Sequence, residues 1–332
     1  MDRFGISIGV SPREPLKRVG QLAEQIEAHG FEALWVIDFQ VGMKDVYAAM
    51  LLAALHSNKL LIGPGVTNLT TRHATVTANA ITALDEVSDG RALLGLGAGW
   101  SAVLAAGGRP AKLAEIKEGF SQLRGLFAGE SVAVGEHDVR LATARRQIPI
   151  YLAAAQPGML RLAGETADGV ILMGAAEPEF CDWQLGFIRE GLAKAGRARS
   201  DLVIDLQVTM SIADDTERAL ADVRAWATSQ AATFVDWKQV PPSYERFRPE
   251  FEKAARSYHL VDHLSLHAEH KESVSDEFTR MVAVAGDEDH SIGRVRELAL
   301  LDVDRISFAL LSGGRERRLA QMAERVIPSL SR

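Results

Sequence analysis

Short apolar runs of strand length alternate with longer stretches of mixed polar and apolar residues from the start of the chain onward. In the longer stretches apolar side chains recur at helical spacing, as Ala74, Ala78, Ile81 and Leu84 do. The short runs predict buried strands and the longer stretches predict amphipathic helices. We expect strands over residues 4–10, 33–38, 60–66, 92–97, 149–154, 169–173, 202–212 and 305–311. We expect helices over residues 15–29, 45–56, 73–87, 113–128 and 158–166, and one more that ends at residue 195.

The repeated order of strand and helix is typical of an α/β fold built from parallel βα units, and eight units predict a (β/α)8 TIM barrel. Residues 129–147 break the repeat with two glycines and alternating valines, which predicts a hairpin insertion before strand 5. About residues 214–300 form a mostly helical excursion between strands 7 and 8, which is too long for a plain loop. The helical pattern of this excursion is interrupted at Pro241-Pro242 and around Gly286. We expect residues 1–332 to form a single domain.

An open doubly wound sheet is the alternative topology. The run Gly95-Leu96-Gly97-Ala98-Gly99-Trp100 resembles a dinucleotide-binding fingerprint, but Trp100 stands where the third glycine belongs. We also expect no helix to start immediately after this run. The glycines therefore predict either a tight strand exit or a close approach of backbone to a ligand.

Composition narrows the class of protein. Of the 332 residues 47% are hydrophobic and 24% are charged, which is typical of a globular enzyme with a large core. The net charge of −7 provides no basic field for nucleic acid or anionic lipid, and the longest apolar stretch, residues 48–55, is far shorter than the roughly 20 residues of a membrane span. The single cysteine, Cys181, and the absence of a leader at the start of the sequence favour the cytoplasm.

Candidate chemistry lies where the predicted strands end, because these ends form the active face of a barrel. Asp38 closes the second strand and could be a catalytic or ligand-orienting acid, or simply a loop cap or ion-pair partner. After the third strand, Thr67 and Asn68 could hydrogen-bond a heterocycle and Arg72 could supply a cation. In the alternative interpretation Thr71 caps the next helix and Arg72 pairs with a carboxylate on the rim.

Three further features could contact a ligand. Gln156-Pro157-Gly158 opens a helix, whose free N–H groups could bind a phosphate or could form an ordinary helix start. Phe39 and Trp100 follow strand ends and could pack against a flat substrate. His259, His263, His267 and His270 would share one helical face, where a solvated surface or a lid lining is favoured over zinc. We predict no metal site.

Four motifs together resemble the bacterial luciferase-like superfamily, and within it coenzyme F420-dependent oxidoreductases of the methylenetetrahydromethanopterin reductase type. They are the segment from Gly63 to Asn68 with Thr71-Arg72-His73, the segment Leu84–Arg91, the run Gly95–Trp100, and the segment Leu160–Leu172. The resemblance extends over nearly the whole chain.

The resemblance implies a TIM barrel that transfers hydride between F420, or FMN in sister branches, and a small organic substrate. It implies a non-prolyl cis peptide at Gly65–Val66, in a bulge that backs the ring. The implied cofactor-binding residues are Asp38, Gly65, Val66, Thr67, Asn68, Ala98, Gly99, Ala154, Gln156, Pro157, Gly158 and Met159. Asp38 is the implied catalytic proton donor or acceptor, with Ser7 or His73 as the other candidates, while Phe39, Trp100 and the excursion after strand 7 would hold the substrate.

Two other functions fit the same resemblance: an FMN-dependent monooxygenase acting with a flavin reductase partner, and a non-catalytic cofactor-binding protein. The family resemblance also implies a homodimer packed through early helices, and a flavin or F420 reductase as a partner. Phe39 and Trp100-Ser101 replace the His and Glu of F420-dependent sugar-phosphate dehydrogenases, Leu69 and Ala74 replace frequent prolines, and no lysine follows strand 6. Sugar-phosphate chemistry is therefore disfavoured.

Overall fold

The computed structural model describes residues 3–258, 272–310 and 314–330. Eleven strands are present in this part of the chain. They are β1 (Phe4–Ile8), β2 (Ala33–Val36), β3 (Leu61–Pro64), β4 (Leu94–Leu96), β5 (Val132–Val134), β6 (His137–Val139), β7 (Ile150–Ala154), β8 (Gly169–Leu172), β9 (Val203–Ile212), β10 (Ala283–Gly286) and β11 (Arg305–Ala309).

Helices follow most of these strands. They are α1 (Arg18–Ala28), α2 (Val46–Leu55), α3 (Ala74–Val87), α4 (Ser101–Ala105), α5 (Leu113–Phe127), α6 (Pro157–Thr166), α7 (Pro178–Ala195), α8 (Thr216–Phe234), α9 (Arg248–Ser257), α10 (Asp276–Val282), α11 (Glu288–Ala299), α12 (Arg315–Gln321) and α13 (Ile327–Leu330), with a π-helical turn at Met322–Val326 and 3₁₀ turns at Arg199–Asp201 and Pro242–Phe247. None of the helices in the described ranges is long and apolar enough to cross a bilayer.

Eight parallel strands form the predicted barrel, in the order β3-β2-β1-β11-β9-β8-β7-β4. Single bridges between β3 and β4 bring the two ends of this order together, at Ile62–Ala92 and Thr67–Leu96. The predicted TIM-barrel fold is therefore confirmed. The hairpin insertion is confirmed as well, because β5 and β6 pair antiparallel within residues 129–147.

Two elements differ from the sequence prediction. Helix α4 begins directly after Trp100, so the expectation that no helix starts there is wrong; five residues are too few to show a helical period in the sequence. Strand β10 lies inside the mostly helical excursion and pairs with the far half of β9, where β9 extends beyond its partner β11. Its sequence, Ala-Val-Ala-Gly, is a short apolar run that does not distinguish strand from helix.

The bottom of the barrel is filled by an apolar cluster and by paired charges. Trp35, Tyr151 and Ile171 pack inside the barrel. Arg305 is fully buried and donates hydrogen bonds to Asp205 Oδ2 (3.1 Å) and Glu32 Oε2 (3.0 Å), while Trp35 Nε1 donates to Asp205 Oδ2 (2.8 Å). Buried charges persist only when they are paired, so these contacts allow a polar network to close the floor.

The seam between β3 and β4 contains one extra residue. The two bridged positions are five residues apart on the β3 side (Ile62 and Thr67) and four apart on the β4 side (Ala92 and Leu96). The additional residue bulges from the ladder, as in a β-bulge. The peptide bond between Gly65 and Val66, within this bulge, is cis, as the family resemblance predicts.

Glycines allow the two sides of the seam to approach closely. A Cβ atom added at Gly63 would lie 2.6 Å from the Leu93 carbonyl oxygen, and one added at Gly95 would overlap the Pro64 carbonyl oxygen. Both obstacles are backbone atoms, which cannot rotate away.

We predict that Gly95→Ala destabilises the barrel, because the added methyl group forces β3 and β4 apart. The free energy of unfolding, measured by urea denaturation, should fall by about 1–3 kcal/mol or more. The matched control is Gly186→Ala in α7, where an added Cβ meets no atom within 4 Å. That variant should be unchanged or more stable by about 0.5–1 kcal/mol. Equal stability of the two variants would contradict the role assigned to the seam.

Candidate active site at the mouth of the barrel

A cavity of about 580 Å³ opens at the carboxyl ends of the barrel strands. This volume is within the range of small-molecule and cofactor sites. On one side the bulge residues Gly65 and Val66 line it, and on the other side α8 does. Among the predicted site residues, those that line the cavity are Ser7, Asp38, Phe39, Gly65, Val66, Asn68, Ala98, Gly99, Trp100, Gln156, Gly158 and Met159.

Asp38 is held by two neighbours at the rim. Its Oδ2 accepts hydrogen bonds from Thr67 Oγ1 (2.7 Å) and Arg72 Nε (3.0 Å), and its Oδ1 accepts from Arg72 Nη2 (3.3 Å). Burial lowers the pKa of Arg72, but the hydrogen bond and charge of Asp38 outweigh burial and raise it above its usual value. The pair fixes a buried carboxylate as a hydrogen-bond acceptor at the cavity edge.

Arg72 therefore takes the role of a partner to a rim carboxylate, which was one of the two interpretations of its loop. Its guanidinium also lies 4.7 Å from the centroid of the Tyr47 ring and 3.3 Å from Asp45 Oδ2. Thr71 does not cap α3; its N–H and hydroxyl instead donate to Asn68 Oδ1 (2.8 and 3.1 Å). The cap residue of α3 is His73.

Four of the predicted residues do not line the cavity. Thr67 is fully buried and acts through its hydrogen bond to Asp38. Ala154 packs in the core between barrel and helices, because successive residues of a strand point to opposite faces; its neighbours Ala153 and Ala155 line the cavity instead.

Pro157 does not line the cavity, although the residues on both sides of it do. His73 is an exposed cap residue beside a separate groove near Arg109.

The N-terminus of α6 borders the cavity. The first intrahelical hydrogen bond runs from Leu160 N to Gln156 O (3.0 Å), so the N–H groups of Gly158 and Met159 are left without helical acceptors. The Gln156 side chain does not cap this end. An anionic group could therefore bind here through backbone donors and the helix dipole.

Gln184, on α7, joins two loops that line the cavity. Its Nε2 donates to the carbonyl oxygens of Ala155 (3.0 Å) and Met173 (2.7 Å), which follow β7 and β8. The side chain is completely buried. Because both amide hydrogens are used, Gln184 fixes the spacing of the two loops next to the N-terminus of α6.

The opposite side of the cavity contains polar atoms without partners. Ser7 Oγ and Gln207 Nε2 are buried and make no hydrogen bond among the described residues. Trp226, Ser229 and Gln230 of α8 also line this side.

An aromatic pair adjoins the rim. The ring centroids of Trp100 and Tyr258 are 5.0 Å apart, and burial raises the pKa of Tyr258 above its usual value. Trp100 contributes apolar surface to the cavity, and Tyr258 packs against it.

The sequence indicates neither Gln184 nor Gln207, whereas α8 belongs to the excursion that we expect to help hold the substrate. Gln184 carries no signal because it is one polar residue within an amphipathic helix, and the position of α8 depends on how the long excursion packs. The four histidines at positions 259, 263, 267 and 270 lie outside the described residues. Within the described ranges, no group of three or more His, Cys, Asp or Glu side chains could hold a metal ion.

The chain is similar in sequence and in fold to known proteins of one family. The family model of luciferase-like monooxygenases matches residues 2–305. A 5,10-methylenetetrahydromethanopterin reductase of Methanolobus tindarius is 35% identical over 65% of this chain and 67% of its own length. The enzyme of that name from Methanopyrus kandleri is 28% identical over 98% of this chain and 97% of its own length. A solved structure of the F420-dependent tetrahydromethanopterin reductase of Methanopyrus kandleri superposes with a TM-score of 0.78 and 23% identity, covering 99% of both chains.

We predict that Gln184→Leu loosens the loops after β7 and β8 and weakens binding of an anionic ligand at the N-terminus of α6. The carbonyl oxygens of Ala155 and Met173 lose their donor, at a cost of about 0.5–1.5 kcal/mol each. The melting temperature should fall, and the affinity for a phosphate-bearing deazaflavin probe should fall more than that for the phosphate-free deazaflavin riboside. Gln21→Leu, at an exposed position of α1, is the control. An equal loss for both ligands would contradict the assignment.

Proposed function

The chain belongs to the luciferase-like monooxygenase family, and from that premise we propose that it is an oxidoreductase that uses coenzyme F420 to exchange hydride with a small organic substrate. The observation that carries the proposal is the coexistence of two features in one cavity. The bulge at Gly65 and Val66 offers an apolar surface beside small side chains, and the open N-terminus of α6 lies at the edge. A flat ring attached to a phosphate matches both.

The residues present fit this cofactor. Val66, Gly97, Ala98 and Ala153 leave room for a planar ring system, because none of them extends far into the cavity. The N–H groups of Gly158 and Met159 would hold the phosphate. Asn68 Oδ1 accepts from Thr70 N (3.1 Å) and from the Thr71 N–H and hydroxyl, which orients the Asn68 side chain at the cavity wall, with its Nδ2 left to donate to a ring oxygen.

The residues of the cavity would support hydride transfer in three ways: they position the ligands, exclude water and transfer a proton. When bound, F420 supplies the carbon that accepts or gives the hydride. Phe39 and Trp100 line the cavity and would shield a bound ligand from water, while the bulge would fix where a flat ligand lies. Asp38 is the proposed proton acceptor, because its carboxyl group lines the cavity and is held in place by Arg72, and Ser7 can relay a proton through its unpartnered hydroxyl. His73 has no part, because it lies outside the cavity.

The proposal includes a cytoplasmic location and a reductase partner. The single cysteine is fully buried, and burial raises the pKa of the Cys181 thiol to about 12, so the thiol is unreactive. A chain with one inert cysteine suits a reducing cytoplasm. A separate F420 or flavin reductase would act as the partner that returns the cofactor to its reactive redox state.

We predict that the purified protein binds F420 saturably and more tightly than FMN. Ala153→Leu, which adds bulk to the cavity wall, should weaken F420 binding about tenfold or more, because overpacking by about 1.4 kcal/mol gives that factor. Titration followed by deazaflavin absorbance measures both. The control is Ala128→Leu at the exposed end of α5. Saturable binding of FMN alone, with oxygen uptake when FMN is reduced, would favour the monooxygenase instead, and binding of neither would contradict the proposal.

The proposal also includes a homodimer packed through α2 and α3. Helix α2 is apolar along its whole length, and helices of that kind are normally covered on all sides. Leu55 and Val76 are nevertheless 70% and 57% exposed in the single chain, and Leu51 and Leu52 are only half-buried. A second copy would cover this face.

We predict a particle of twice the chain mass of 36.0 kDa in light scattering after size exclusion. Leu55→Glu should shift it towards the monomer, because a charge would be buried at the contact. The control is Leu300→Glu, at a residue that is 88% exposed on a different helix end. A monomeric wild-type protein would contradict the dimer.

A further inference from the structure

The wall that faces the bulge across the barrel differs from the rest of the cavity. In the order of strands, β11 and β9 lie opposite the seam of β3 and β4, and β1 adjoins β11. The residues of these strands that line the cavity are Ser7, Gln207, Thr209 and Ala309. We refer to Ser7, Gln207 and Thr209 as the polar wall. A ligand between the bulge and this wall has one face towards Val66 and the other towards polar side chains.

The register of the strands arranges the polar wall in two levels. Ser7 pairs with Ala309, and Ala309 pairs with Thr209, so Ser7 and Thr209 lie at the same height on either side of a small residue. Gln207 is two residues deeper on β9, and its longer side chain reaches the cavity from below. The hydroxyl groups of Ser7 and Thr209 and the side-chain amide of Gln207 therefore lie in one region of the wall.

The polar wall is incompletely satisfied. Both Ser7 Oγ and Gln207 Nε2 are buried, yet neither has a hydrogen-bond partner in the described part of the protein. A buried polar group without a partner is energetically unfavourable. Since the Nε2 group of Gln207 can only donate, the wall is complementary to a hydrogen-bond acceptor of a bound molecule.

The same side of the cavity has aromatic surface and carries no charge. Trp226 and Trp237 line it beside Ser229, Gln230 and Thr233. Across the described lining Asp38 is the one ionisable side chain, and it is already paired with Arg72. A phosphate or carboxylate placed here would lose its hydration without gaining a cation, which is strongly unfavourable. A flat, uncharged molecule loses little and gains aromatic contact.

We infer that the polar wall, Trp226 of α8 and Trp237 after α8 form the substrate site, and that the substrate is a planar, uncharged, conjugated molecule whose hydrogen-bond acceptor contacts Gln207 and Ser7. The inference rests on the proposed function, because the cofactor must occupy the bulge side for the polar wall to be left for the substrate. It excludes sugar phosphates and conjugated carboxylates as substrates.

The test compares two probes with the same conjugated frame but different charge, methyl cinnamate and cinnamate, on the F420-loaded protein. Isothermal titration should show saturable binding of methyl cinnamate, at least about tenfold weaker binding of cinnamate, and no binding of glucose 6-phosphate. Gln207→Leu should weaken methyl cinnamate binding about twofold to tenfold, which is the range of one neutral hydrogen bond. Ser7→Ala should act in the same direction.

Cofactor affinity is the second readout. Titration of both variants with F420 should give the wild-type affinity, which also shows that they are folded, and Gln21→Leu on the exposed face of α1 should change neither affinity. The inference is overturned if cinnamate or glucose 6-phosphate binds as tightly as methyl cinnamate, if none of the probes binds, or if Gln207→Leu weakens F420 and leaves methyl cinnamate unchanged. Failure of the proposed function appears separately, as failure of the wild-type protein to bind F420.

Discussion

The close approach of β3 and β4 is the constraint on which the rest of the site depends. The barrel closes here through only two bridges, and the β3 side carries an additional residue between them. Glycines at positions 63 and 95 allow the backbones to touch, so the additional residue is displaced at the bulge, where Val66 lines the cavity. Thr67 resumes the pairing and donates to Asp38, which connects the seam to the charged pair at the rim.

The floor of the barrel supports the same region from below. Trp35 donates to Asp205, which is paired with the buried Arg305, and its Cβ lies where a side chain at Gly65 would have to be. One tryptophan thus connects the ionic network of the floor with the bulge. This network and the apolar cluster of Trp35, Tyr151 and Ile171 fill the floor, and the open space lies at the mouth.

Much of the fold could be predicted from the sequence, because strand and helix periodicity repeats along the chain and each unit is long enough to show it. All eight barrel strands lie within the predicted ranges. Helix α4 and strand β10 are too short for a period to be visible. That residues 1–332 form one domain stays a prediction.

The site was less predictable, since it depends on which way each side chain points. A one-residue difference in register separates Ala154, in the core, from Ala153 and Ala155, in the cavity. The pairing of Arg72 with Asp38 and the bridging by Gln184 join residues far apart in the chain, which a single sequence does not reveal.

The most direct test of the central claim is a crystal structure of the protein with F420. We expect one face of the deazaflavin ring to pack against Val66, the phosphate to contact the N–H groups of Gly158 and Met159, and the other face to be open towards Gln207. A ring bound away from the bulge, for example in the groove beside His73, or a phosphate bound elsewhere, would contradict it.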